Sequence, residues 1–146
     1  MSHKRELIIT AIVDRLKAAA TSAGDRVLTD PAAALRLSPA EMPAILVRPE
    51  AEEPAELQET GEVRRYRRDL LVRVEAVAAA TEEQGLDALV NALDLALEQI
   101  IQADETLGGL AFETILAGTE FAYSAEGGEA VGAVIQSYLI SYQFPE

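Results

Sequence analysis

The chain has 146 residues, with 25 acidic side chains against 12 basic ones, a net charge of −13 and no cysteine. That length suits one domain with one core, and the missing cysteines remove disulfides, thiolate metal ligands and cysteine nucleophiles together. A surface this acidic should repel the phosphates of nucleic acid and of anionic membranes. Hydrophobic residues make up 49% of the chain, too many for a disordered one, yet no apolar run approaches the ~18 residues of a membrane-spanning helix.

The start, Met1 to Glu6, is basic, but Asp14, Arg15 and Lys17 interrupt the apolar stretch after it, so it does not read as a signal-peptide core. Residues 4–22 read as an amphipathic helix, because Ile9, Ile12, Val13, Leu16 and Ala20 recur at helical spacing. Gly24-Asp25 should stop it. Residues 25–43 are loop-like. They leave room for a short strand at Arg26-Val27-Leu28, and Pro31, Pro39 and Pro43 confine any helix to a turn or two around Ala32–Leu37. Ala44-Ile45-Leu46-Val47 is a short apolar strand.

Residues 50–62 carry Glu50, Glu52, Glu53, Glu56, Glu59 and Glu62, interrupted by Pro54 and Gly61. They read as a mobile acidic loop or hairpin arm. Residues 63–79 then form a long strand by period-two counting. Tyr66, Arg68, Leu70, Val72, Val74 and Ala76 share one face, and Arg65, Arg67, Asp69, Leu71, Arg73 and Glu75 the other. The mostly apolar first face should meet helices. Residues 82–103 give a second helix with the stripe Leu86, Leu89, Val90, Leu93, Leu97, Ile100 and Ile101. Thr81 is its expected N-cap, with Gln84 reaching back, and Leu107-Gly108-Gly109 ends the region in a cap and turn.

Two strands close the chain, within 110–123 and 130–144, joined by the turn Ala125-Glu126-Gly127-Gly128-Glu129. The last strand has apolar groups on both faces, so both should be at least partly covered, one by helices and the other by loops or a second subunit. The element order therefore predicts a single α+β domain: an antiparallel sheet of about four main strands with two amphipathic helices on one face.

Catalytic chemistry finds little to use. His3 is the lone histidine, no serine sits in a nucleophile-elbow motif, and the glycine pairs lack the lysine and spacing of a phosphate loop. The acidic stretch lacks the alternation of a calcium loop. No catalytic residue, cofactor or metal ligand is assigned. The run Arg64-Arg65-Tyr66-Arg67-Arg68 stands out, because it gathers four of the twelve bases into five residues. It reads as a nucleic-acid patch, as a charged edge that discourages strand pairing, or as a patch that meets an acidic surface of a neighbouring subunit. On the third reading the candidate interface residues are Arg64, Arg65, Arg67, Arg68, Leu71 and Arg73 with Glu52, Glu53 and Glu56.

Taken end to end, the elements resemble the minor tail protein U family, the tail terminators of siphophages related to lambda. The opening helix is similar at Glu6-Leu7, with Asp14 and Leu16 further along. Met42-Pro43-Ala44-Ile45-Leu46-Val47 looks like the family's short strand, and Asp69 to Val77 like its long central strand. A connection leads from there into a helix spaced as Leu86-Asp87-Ala88-Leu89. Tyr138-Leu139-Ile140-Ser141-Tyr142-Gln143-Phe144 is similar to the terminal strand. The resemblance implies a structural, non-enzymatic subunit of a ring, typically a hexamer, in the virion tail and in the infected cell's cytoplasm during assembly. That ring caps the tail tube, ends its polymerisation and docks the completed head. The implied partners are copies of itself, the tail tube protein and a head-completion or neck protein, with no stable nucleic-acid binding and no membrane. The chain departs from the family by having fewer aromatics and by its own arginine run. Another neck or tail-completion protein, a small adaptor domain and an enzyme using carboxylates alone are the competing readings.

Overall fold

A computed structural model describes residues 3–19, 21–60, 63–81, 85–124 and 130–144, and gives only the backbone at 34, 35, 55–60 and 63–66. The elements run α1 (Lys4–Ala18), β1 (Val27–Leu28), α2 (Pro31–Leu35), β2 (Ala44–Thr60), β3 (Val63–Ala79), α3 (Leu86–Gln102), β4 (Glu113–Ser124) and β5 (Val131–Phe144), with a 3-10 turn at Pro39–Glu41. The fold is α+β.

The sheet order is β1-β2-β3-β5-β4. β2, β3, β5 and β4 are antiparallel to their neighbours, whereas β1 runs parallel to β2 through Val27 opposite Ile45 and Leu28 opposite Leu46. Two features correct the expected architecture. The sheet has five strands and is mixed, because β1 joins it, and α2 is a third helix. The crossover through α3 leaves β3 and β4 parallel with one strand's width between them, and β5 fills that gap by folding back from β4.

Side-chain alternation decides which face is buried. Leu70, Val72, Val74, Ala76 and Ala78 of β3 join Val134, Tyr138, Ile140 and Tyr142 of β5 in one core with α1 and α3. From α1 the core takes Ile8, Ile12, Val13 and Leu16. Ile12, Val13 and Leu16 are buried as the spacing predicts, Ile8 takes the place of Ile9, which is only partly buried, and Ala20 lies outside the described residues. α1 ends at Ala18, short of the predicted residue 22. From α3 come Val90, Leu93, Leu97 and Ile101, with Leu86, Leu89 and Ile100 packed at the margin, as the stripe predicts. Burying a side chain of this kind contributes about 1.5–3 kcal/mol relative to leaving it exposed.

Two further expectations change. α3 begins at Leu86 with Gly85 as N-cap, so Thr81 does not cap it. The chain is still paired as sheet near there: the Ala80 amide donates to the Ala130 carbonyl at 3.1 Å. The capping partner Gln84 and the turn at 125–129 lie outside the described residues. The acidic stretch is the hairpin arm rather than a loop. β2 continues through it to Thr60, bulging between Pro49 and Ala51 and between Pro54 and Glu56, and pairs with β3 as far as Thr60 opposite Val63. Bulges accommodate prolines, which cannot donate to a ladder.

The turn after α3 is built by Asp104. Its carboxylate accepts from the Thr106 hydroxyl at 2.6 Å, from the Gly108 amide at 2.9 Å and from the Thr106 amide at 3.0 Å. Arg15 of α1 donates to the same carboxylate at 3.3 Å and to the Asp104 carbonyl at 3.1 Å. Leu107, Gly108 and Gly109 all take positive φ here, and Leu107 does so while buried. A leucine accepts that backbone only where its surroundings over-determine it.

Candidate functional site

Register sorts the candidate interface residues onto two faces. On the face opposite α1 and α3, which we call the open face, lie Arg67, Asp69, Leu71, Arg73 and Glu75 of β3 with Ala51 and Glu53 of β2. Ala51, Leu71, Leu139 and Ile115 stand opposite one another in turn across β2, β3, β5 and β4, an apolar row spanning the four main strands. Charged rows flank it. Arg73 donates to Glu75 at 3.0 Å, and Arg67 stands 3.6 Å from Asp69, which also accepts from Ser141 at 2.7 Å. All four charged side chains are partly exposed, so each pair contributes only about 0–1 kcal/mol.

Glu52 and Arg68 lie on the other face, and the chain uses them internally. The Glu52 carboxylate is 11% exposed and accepts from Arg5 at 3.0 Å, from Arg68 at 3.1 Å and from the hydroxyl of Tyr142. Arg68 also lies over the ring of Phe144, 4.7 Å from its centre, and Phe144 stacks on His3 at 4.5 Å. His3 in turn caps α1 by accepting from the Arg5 amide at 3.0 Å. Burial, and then the adjoining Glu52 carboxylate, hold the Tyr142 phenol well above its ordinary value, so it stays a donor. This cluster ties the start of α1 to the interior of β2 and β3 and to the end of β5.

Of the nine candidate interface residues, the structure thus brings Glu52 and Arg68 together within the chain and sets Arg67, Leu71, Arg73 and Glu53 on the open face. Arg64, Arg65 and Glu56 have described backbones only, paired as Glu59 with Arg64, Gln58 with Arg65 and Glu56 with Arg67. The acidic strand of the arm thus lies directly against the basic one. The sequence reading missed Arg5, Tyr142 and Phe144. Their distance in the chain from Glu52 and Arg68 gave no periodic signal.

A second buried polar group fixes α3. Gln136 of β5 is fully buried and donates to the Asp94 carboxylate at 2.7 Å and to its carbonyl at 3.0 Å, while Tyr138 donates to the Gln136 side-chain oxygen. Burial, with Glu98 and Asp94 nearby, raises the Tyr138 phenol above its ordinary value. Among the described residues, no three histidine, aspartate or glutamate side chains gather as a metal site requires. None of the helices described is long and apolar enough to cross a membrane.

The half-exposed large apolar side chains are unevenly placed. Among the described residues four of the six, Phe112, Ile115, Phe121 and Tyr123, belong to β4 or its approach, the other two being Leu7 of α1 and Leu95 of α3. Phe121 stands opposite the fully buried Val134, and Tyr123 opposite Gly132, so both share the helix-covered face. They remain half exposed because α3 packs mainly over β3 and β5 and reaches the edge strand only in part. Compared with known proteins, the chain matches no family model and no curated sequence.

Proposed function

We propose that the protein is a structural subunit of a bacteriophage tail that assembles with copies of itself into a ring. On this reading the ring caps the tail tube, ends its polymerisation and presents a docking face to the head. The observation that supports self-assembly is the open sheet face. Its apolar row Ala51-Leu71-Leu139-Ile115 crosses all four main strands, and rows of paired charge border it. A soluble sheet with one solvated face ordinarily alternates to polar residues on that face. A contiguous apolar row rimmed by charge is instead the composition of a protein interface. The station in the tail comes from the sequence resemblance to the minor tail protein U family, which extends along nearly the whole chain.

The net charge of −13 fits the same role. A ring around a DNA passage gains from a lumen that does not hold phosphate. No catalytic step is part of this reading, and no cofactor is needed for it.

The test is the native mass of the purified protein across a range of concentrations, with negative-stain images of the largest species and of mixtures with isolated tail tubes. Closed rings in solution, or rings seated on tube tips, are the expected result. A chain that remains monomeric at every concentration and does not bind tube tips would overturn the proposal.

A further inference from the structure

We propose that the free edge of β4 takes up an extended, basic segment of another protein as a further strand of the sheet, with arginine or lysine side chains lying over Phe121 and Tyr123 toward the acids on the flank of α3. The proposal does not depend on the ring reading, because it uses the sheet edge and the helix-covered face rather than the open face.

Charge is divided unevenly along the chain. All twelve lysines and arginines, and His3, lie in residues 1–73, where twelve acids balance them. Residues 74–146 hold the other thirteen acids and no base, so the whole net charge of −13 belongs to that half. α3, β4 and β5 are built from it. Asp87, Asp94 and Glu98 repeat at helical spacing along one flank of α3. That flank runs beside the outer strands. Tyr123 of β4 lies against Asp87; partial desolvation, and then that carboxylate, raise its phenol above the ordinary value. Asp94 accepts from Gln136 of β5 at 2.7 Å, and Gln102 donates to the Thr114 carbonyl of β4 at 3.0 Å. Between this flank and the edge, Phe121 and Tyr123 form a half-exposed aromatic shelf.

The edge itself is open. β4 is last in the sheet, with β5 as its one neighbour among the described residues. Its ladder with β5 bulges between Leu116 and Gly118, then runs without a break from Gly118 to Ser124. That stretch has neither proline nor lysine, the usual guards of an exposed edge, and its outward N–H and C=O groups match an added strand. The opposite edge is different. β1 has two residues, and β2 beyond it carries Pro49 and Pro54.

Charge selects the occupant. Two copies meeting through β4 would bring together Glu113, Glu120 and the acids of both α3 helices, with no base in any of these elements. Nucleic acid is repelled by the same acids. A strand with arginine or lysine at its helix-side positions instead lays their long stems on the aromatic rings. Their charged ends then come near Asp87 and Glu98, both exposed.

The probe is a labelled ten-residue peptide alternating arginine with valine, titrated against the full chain by fluorescence anisotropy at physiological salt. It should bind saturably. A peptide with as many arginines but proline at every third residue keeps the charge and loses amide donors on both of its edges, and should bind at least tenfold more weakly. Asp87→Asn combined with Glu98→Gln, and separately Phe121→Thr, should each weaken the arginine–valine peptide severalfold. These side chains are exposed, so the fold should survive, and the urea midpoint checks that it does. No saturable binding, equal binding of the proline peptide, or affinity untouched by both variants would overturn the proposal. A native mass that rises on Glu113→Gln and Glu120→Gln, with peptide binding lost, would place a second copy at this edge and also overturn it. Ring formation by the unaltered chain is read separately, so either reading can fail alone.

Discussion

Tyr142 and Glu52, ninety residues apart, are joined by a hydrogen bond from the tyrosine hydroxyl to the carboxylate. The same carboxylate takes Arg5 and Arg68, so one acid organises the beginning of α1, two central strands and the end of the chain.

Removing that acid should therefore cost more than an ordinary surface ion pair. Glu52→Ala leaves two guanidinium groups and a phenol without their acceptor, and should lower stability by about 2–3 kcal/mol. Tyr142→Phe removes one donor and should cost about 1 kcal/mol. Urea unfolding midpoints measure both. An unchanged midpoint for Glu52→Ala would show that the cluster is not holding α1.

Neighbouring arginines should behave differently, because alternation sends them to opposite faces. Arg67→Glu combined with Arg73→Glu changes the open face alone, and should weaken self-assembly while the unfolding free energy falls by no more than about 2 kcal/mol. Arg68→Glu faces Glu52 inside the helix-covered face and should lose stability first. Sedimentation velocity beside urea unfolding separates the two effects. Unaltered assembly in the Arg67/Arg73 variant would remove the open face from the interface.

The Asp104 turn predicts a pH dependence. Hydrogen bonds from the Thr106 hydroxyl, then the Gly108 and Thr106 amides, with Arg15 beyond them, hold its carboxyl well below the usual carboxylate range. A group whose folded pKa is depressed contributes stability above its unfolded value and loses it as the pH falls through the folded one. The contribution should therefore be complete above about pH 4–5 and fade below it. Asp104→Asn should flatten the acid limb of the stability profile relative to the parent chain. Parallel acid limbs in the two proteins would show that this carboxylate does not contribute.

Gln136 gives a test of core polarity. Gln136→Leu strands the Tyr138 hydroxyl and the Asp94 acceptors beneath α3, and should cost about 1–3 kcal/mol despite its added hydrophobicity. Gly132→Ala, whose new carbon would sit 3.0 Å from Val90 and 3.1 Å from both Leu86 and Tyr123, should cost about 1 kcal/mol or more. Thermal unfolding measures both, and a Gln136→Leu chain as stable as the parent would show that the network is replaceable.

The charge also predicts behaviour toward nucleic acid. With a net charge of −13 and the described arginines split between faces, duplex DNA should not be retained at physiological salt. A fluorescence-anisotropy titration with labelled duplex checks this, and measurable binding would reject the non-sticking lumen.

Periodicity by itself determined the main elements. The stripe from Leu86 to Ile101 and the alternation from Leu70 to Ala76 predict α3 and the buried face of β3, because a helix and a strand each repeat a face at a fixed spacing. The same local rules reached α1, with Ile8 in place of Ile9 at the start of its buried row, and the closing pair of strands. They allowed a short strand at Arg26-Val27-Leu28 but not its place, which is fixed by parallel pairing of Val27 and Leu28 with Ile45 and Leu46 from another part of the chain. Nor did they distinguish loop from hairpin arm over 50–62, where glutamates and prolines argue locally against the strand that pairing with β3 completes. Composition and charge set out the candidate interface residues, but only the tertiary structure divided them. Glu52 and Arg68 were drawn into a cluster with Arg5 and Tyr142, and Arg67, Leu71 and Arg73 were left on the open face. The physical reason is that a face is a local property of a strand, whereas a partner is fixed by which distant segments the sheet order brings side by side.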